Sequence, residues 1–136
     1  MTTANPERIW LRLPFAPESA SEARRRLDAW VHDNEGSLSL REDWSDDAKL
    51  VISELIGNSL RHATPLADGT LEIGWKHDDG GFDIAVRDGG GPDLPEVRDV
   101  SPMASHGRGL AIVEALAKKW WVDHVKGRVT THALVV

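Results

Sequence analysis

Lys49-Leu50-Val51-Ile52-Ser53-Glu54-Leu55-Ile56-Gly57-Asn58-Ser59-Leu60-Arg61-His62-Ala63 is the stretch on which the fold turns. At about 100° per residue it reads as part of a helix over 45–61 with two unlike faces. Ala48, Ile52, Leu55 and Ser59 share one face, suited to lie on a sheet, while Glu54, Asn58 and His62 form a polar stripe on another. Ser45-Asp46-Asp47 places acids at the helix N-terminus, where the dipole favours them, and Thr64-Pro65 closes the run. An apolar helix face needs a second layer to cover it, and strand patterns lie on both sides of this helix in the chain. Residues 8–13 read as a short strand stopped by Pro14 and Pro17. Residues 71–76 and 82–87 read as a hairpin around His77-Asp78-Asp79-Gly80-Gly81, and 120–125 with 129–136 as a closing hairpin through Lys126-Gly127-Arg128.

Two further helices fit between the strands. Ser19-x-x-Glu22 matches a capping box, followed by Ala20, Ala23, Leu27, Trp30 and Val31 at helical spacing up to Gly36. Arg24, Arg25 and Arg26 read as the solvated side of that helix, with Arg24 and Asp28 paired one turn apart. Residues 110–118 form the third, with Leu110, Val113, Leu116 and Ala117 apolar. The expected class is α+β: a two-layer α/β sandwich whose mixed, mostly antiparallel sheet has helices packed on one face.

The 136 residues suit one domain, 1–136, with one core. Lys plus Arg number 16 against 22 Asp plus Glu, a net charge of −6, which argues against direct nucleic-acid binding through a basic patch. The same balance leaves a nucleotide ligand open, because backbone N–H groups cradle phosphates without net positive charge. Cys is absent, which excludes disulfides and thiolate chemistry. There is no apolar leader and no run of membrane-spanning length, so a cytoplasmic protein off the membrane is expected.

Three short constellations carry candidate chemistry. Glu54 and Asn58, one turn apart, offer hard oxygen donors of the kind Mg²⁺ prefers, and a carboxylate there can also take a hydroxyl proton. Asp88-Gly89-Gly90-Gly91-Pro92 sets one acid beside a backbone without side chains, able to accept from an exocyclic amine such as that of adenine. His106-Gly107-Arg108-Gly109-Leu110 opens a helix with glycines, an arrangement that lets N–H groups meet phosphate. Residues 92–107 between them form a proline-bearing loop long enough to act as a lid. Taken singly, each also fits a plainer reading: a polar helix face, an Asp-Gly turn, a glycine-rich helix start. His32, His77, His124 and His132 share no ligand spacing, so no zinc site is expected, and Trp120-Trp121 reads as one core ring and one exposed or interface ring.

In their order, Glu-x-x-x-Asn on a helix, Asp-x-Gly after a strand and Gly-x-Gly-Leu opening a helix resemble the GHKL ATPases, the gyrase, histidine-kinase and MutL superfamily with the Bergerat fold. Residues 53–63, and 107–116 followed by Trp120, are most similar to the branch of bacterial anti-sigma-factor serine kinases. The resemblance spans nearly the whole chain and implies ATP and Mg²⁺ as ligands. It implies Glu54 as the general base toward a protein Ser or Thr hydroxyl, Asn58 as the Mg²⁺ ligand, and Asp88 with Gly90 at adenine. Gly107, Arg108, Gly109 and Leu110 would lie at the phosphates, His62 and Arg61 would flank them, and Thr130, or Thr131 if the alignment slides, would assist at adenine. It further implies a sigma factor and a STAS-type anti-anti-sigma protein as partners, and a homodimer. Pro92 stands where much of the superfamily has Gly, which removes a backbone donor where the lid begins. A nucleotide-gated binding module without kinase activity is the alternative. A histidine-kinase half is disfavoured for want of a dimerisation helix before Trp10, and a gyrase-type motor for want of a second domain.

Overall fold

Alternation along each strand decides which side of the sheet receives the helices. In the computed structural model, which describes residues 8–34, 44–78, 81–91 and 110–136, the chain runs β1 (Ile9–Pro14), α1 (Glu18–Asp33), α2 (Trp44–His62), β2 (Thr70–Asp78), β3 (Gly81–Asp88), α3 (Ala111–Leu116), β4 (Lys119–Val125) and β5 (Arg128–Val135). The strands form one sheet in the order β1-β2-β3-β5-β4. Every ladder among the described strands is antiparallel, so the parallel pair that a mixed sheet would need is not among them. Leu13, Leu71, Ile73, Trp75, Phe82, Ile84, Val86, Ala133 and Val135 project from one face into a core shared with Ala23 and Leu27 of α1 and with Ala48, Val51, Ile52, Leu55 and Ile56 of α2. Each of the larger side chains contributes about 1.5–3 kcal/mol by leaving water, and together they hold the helices to that face.

Element ends differ from the sequence reading for local reasons. The capping box does not form: α1 starts after Pro17, whose φ of −58° suits a helix start, and no side chain caps it. Ser19 instead donates its hydroxyl to the Pro14 carbonyl at 2.6 Å, and Glu22 pairs with Arg25 and Arg26. The Arg24–Asp28 pair is likewise replaced. Arg24 donates to Ser53 Oγ at 2.6 Å and Asp28 meets Lys49 at 3.0 Å, so both side chains tie α1 to α2. The β2–β3 ladder runs into the expected five-residue spacer, as far as the Asp78–Gly81 pair. The third helix ends at Leu116 because Ala117 turns extended and the Lys118 N–H already donates to Leu134 of β5 at 2.7 Å. Lys126 and Gly127, at φ 41° and 79°, make the two-residue turn that suits the twist of β4 and β5.

The other sheet face carries its own cover. Trp10, Gly74, Ala85, His132 and Trp121 stand side by side across all five strands. The Trp10 ring lies over Gly74, with the Arg87 guanidinium 4.0 Å from its centroid. Trp121 stacks on His132 at 4.8 Å, and Ala85 between them is fully buried. Trp120, on the opposite side of β4, packs against the core, and its indole N–H donates to Glu114 at 3.4 Å.

Candidate functional site

The end of α2 and the end of β3 meet at one hydrogen bond. Ser59, which the sequence assigns only to sheet packing, donates its hydroxyl to Asp88 Oδ2. The Gly90 N–H donates to Asp88 Oδ1 at 2.8 Å. Asp88 is 3% exposed, and burial pushes its carboxyl above the usual carboxylate range, while the Ser59 and Gly90 hydrogen bonds pull it back. Each oxygen thus has one donor, and a carboxylate accepts up to about four hydrogen bonds, so capacity remains for a ligand amine.

Asn58 precedes Ser59 and is 5% exposed, yet its Oδ1 is buried without a hydrogen-bond partner among the described residues. An orphaned buried acceptor costs about 1–3 kcal/mol, so one kept in a folded protein calls for a function. A hard cation matches this oxygen. Among the described residues there is no group of three or more His, Asp or Glu able to hold a metal alone. The donor set therefore suits a Mg²⁺ whose other ligands are phosphate and water, as usual for that ion in phosphoryl-transfer sites. Glu54, one turn earlier, is half-buried and pairs with no described residue. His62 ends the stripe, also half-buried. Arg61 is exposed and folds back along the helix, its Nη1 lying 3.1 Å from where a Cβ on Gly57 would stand.

Past β3 the glycines have separate tasks. Gly90 sits at φ +79°, a conformation that favours glycine. A Cβ on Gly89 would collide with the Pro65 carbonyl oxygen, and one on Gly91 would lie 2.7 Å from the His62 carbonyl oxygen. The Thr64 N–H donates to the Gly90 carbonyl at 2.8 Å, and the Gly89 N–H donates to the Thr64 carbonyl at 2.8 Å. A cavity of about 270 Å³ opens between Gly89–Gly91 and the β4–β5 turn.

Register separates the two threonines of β5. Thr130 pairs with Arg87 on the face away from the helices, where its Oγ1 accepts from Arg87 Nε at 3.1 Å. It is not brought together with Asp88. Thr131 pairs with Val86 on the helix-side face, the face of Asp88. Leu110 is buried in the core at the head of α3, its carbonyl accepting from the Glu114 N–H at 3.0 Å. Gly107, Arg108, Gly109 and the lid over 92–107 lie outside the described residues. Ser59 as the partner of Asp88 is what residue-by-residue reading missed; between Thr130 and Thr131, which the sequence left open, strand register with β3 puts Thr131 on the side of Asp88.

A crystal structure of the RsbU and RsbW domains of Rv1364c from Mycobacterium tuberculosis superposes with a TM-score of 0.66 at 20% sequence identity, over 93% of this chain. The match takes in 31% of that longer chain, so this protein spans about a third of its length. The likeness is one of fold. No curated protein sequence matches the chain. The family described as histidine kinase-like ATPase domain matches residues 13–133, from the buried Leu13 of β1 to Ala133 of β5, and so takes in both α2 with Asn58 and β3 with Asp88. On that match, this chain belongs to the histidine kinase-like ATPase domain family.

Proposed function

We propose that this chain is an ATP- and Mg²⁺-dependent protein serine/threonine kinase that acts as an anti-sigma factor in the cytoplasm. The unpartnered Oδ1 of buried Asn58, one residue from the Ser59–Asp88 hydrogen bond, is the observation that carries the reading. Family membership supports ATP as the ligand, and the fold likeness to a chain containing an RsbW domain agrees with the anti-sigma branch. Asp88 accepts from the adenine amine, with Gly90 shaping the wall beside it and Thr131 facing the same side. Asn58 holds Mg²⁺, which supplies charge neutralisation on the phosphates. Gly107, Arg108, Gly109 and Leu110 lie at the phosphates, with His62 flanking, and 92–107 serves as the lid of a single domain, 1–136.

Glu54 takes the proton from a Ser or Thr hydroxyl of a STAS-type anti-anti-sigma protein. The hydroxyl oxygen bonds to the γ-phosphorus as the bond to the β,γ-bridging oxygen breaks, and ADP leaves. Phosphorylation of that antagonist keeps a sigma factor bound to this protein, which works as a homodimer. The test is a titration of the chain with ATP, with and without Mg²⁺, followed by phosphotransfer to a candidate antagonist. The Mg²⁺ contribution to binding should vanish in Asn58→Ala, and phosphotransfer should fall at least a hundredfold in Glu54→Gln, in line with the ~10²–10⁴ of general-base catalysis. Label transfer undiminished in Glu54→Gln would remove the base assignment. ATP binding without any transfer would leave the nucleotide-gated binding module.

A further inference from the structure

Gly89, Gly90 and Gly91 carry no side chains, so this loop is held beside Asp88 through its own backbone N–H and carbonyl groups. Thr64, two residues beyond α2, makes the ones that cross to the helix. Its N–H and its hydroxyl both donate to the Gly90 carbonyl, at 2.8 and 2.7 Å, and its carbonyl accepts from the Gly89 N–H at 2.8 Å. Gly89 and Gly91 press on the carbonyls of Pro65 and His62 so closely that neither position has room for a Cβ. The Thr64 hydroxyl is the one side-chain group in this clamp, and it lies on an exposed residue that adds nothing to the core.

We propose that Thr64 is a positioning residue for the nucleotide: its hydroxyl locks the base-side loop 89–91 to the helix that carries Glu54 and Asn58, so that the base end and the phosphate end of the ligand meet one preformed cradle. The proposal rests on the ATP reading above. A ligand spanning both ends gains from having their separation fixed before it binds, because the ordering cost has already been met in folding. Adenosine, which engages the base end alone, gains less.

Thr64→Val keeps the shape and β-branching of the side chain and deletes only the hydroxyl, and Thr64→Ser restores it. Calorimetry with Mg·ATP and with adenosine on wild type and both variants reads the effect. Amide exchange at Gly89 and at residue 64 in the nucleotide-free chain reads the clamp itself. Thr64→Val should weaken Mg·ATP about five- to tenfold, as expected for one hydrogen bond of about 1 kcal/mol. Adenosine should change by less than twofold, Thr64→Ser should bind as wild type does, and the melting temperature of Thr64→Val should fall by no more than about 2–5 °C, the worth of that one hydrogen bond. Exchange at Gly89 should be faster in Thr64→Val. Equal Mg·ATP affinity in wild type and Thr64→Val overturns the proposal, as does an equal loss for ATP and adenosine that Thr64→Ser does not restore. Wild type failing to bind Mg·ATP while Gly89 exchange still responds to Thr64→Val would overturn the nucleotide reading, and this proposal with it, while leaving the clamp as a structural contact.

Discussion

Asp88 answers to two opposing demands. Its carboxyl is buried and titrates above the ordinary range, yet in the proposed site it accepts from the adenine amine. Between the unfolded value, about 4, and the raised folded value, the native chain holds a proton that the unfolded chain has released. Stability therefore falls as pH rises through that window. Asp88→Asn removes the charge and keeps an oxygen for the Gly90 N–H, while the Ser59 hydroxyl can turn to accept from the new amide. At pH 7 the variant should melt above wild type, the gap closing as pH falls through the window; its ATP affinity should drop about ten- to a hundredfold, the worth of ~1.5–3 kcal/mol for a hydrogen bond to a charged group. Melting curves across pH and calorimetry check the two halves separately. A variant less stable at pH 7 would mean that Ser59 and Gly90 need the carboxylate more than burial opposes it.

Among the elements, β2 shows how one missing side chain shapes a strand pair. Gly74 interrupts an otherwise large-residue strand and costs it β propensity. Its position opposite Trp10 explains the choice: a Cβ there would stand 2.8 Å from the Trp10 ring and 2.9 Å from the Ile9 carbonyl oxygen. The ring can swing away, but the carbonyl belongs to the ladder. Gly74→Ala should cost about 1–3 kcal/mol by urea unfolding, the range for overpacking, with a change in tryptophan fluorescence as Trp10 leaves Arg87. The helices show the complementary case. Their apolar faces were legible because residues three and four apart meet on one side whatever else the chain does. Their ends and cross-links were less so: Arg24 and Asp28, spaced for each other, found Ser53 and Lys49 once α1 packed on α2.

Across the whole molecule, the two faces of the sheet do different work. The helix side holds the core and the proposed nucleotide site, while the other side is covered by Trp10, Trp121 and a web of charges. In that web Asp83 meets Arg8 at 2.9 Å and His132 at 3.4 Å. Burial alone would raise its carboxyl, but His132 and Arg8 outweigh it and hold it below the usual range. A lowered folded value gives stability that is present above about pH 4 and lost as pH falls through the folded value, opposite in sign to Asp88. Asp83→Asn should therefore cost about 1–3 kcal/mol at neutral pH and flatten the acid limb of the stability curve, measured by denaturant midpoints from pH 2 to 7. What the sequence by itself determined was everything that depends on near neighbours: the strand and helix periods, the α+β class, the stripe of Glu54 and Asn58, and the ordered motifs that carry the resemblance. Only the tertiary structure decided the pairings between distant positions, such as Ser59 with Asp88 across 29 residues and Thr64 with Gly90 across 26. It also decided that Thr131 rather than Thr130 shares the face of Asp88, because a shift of one residue in strand register turns every side chain to the opposite face, and register is set by the packing of the whole sheet.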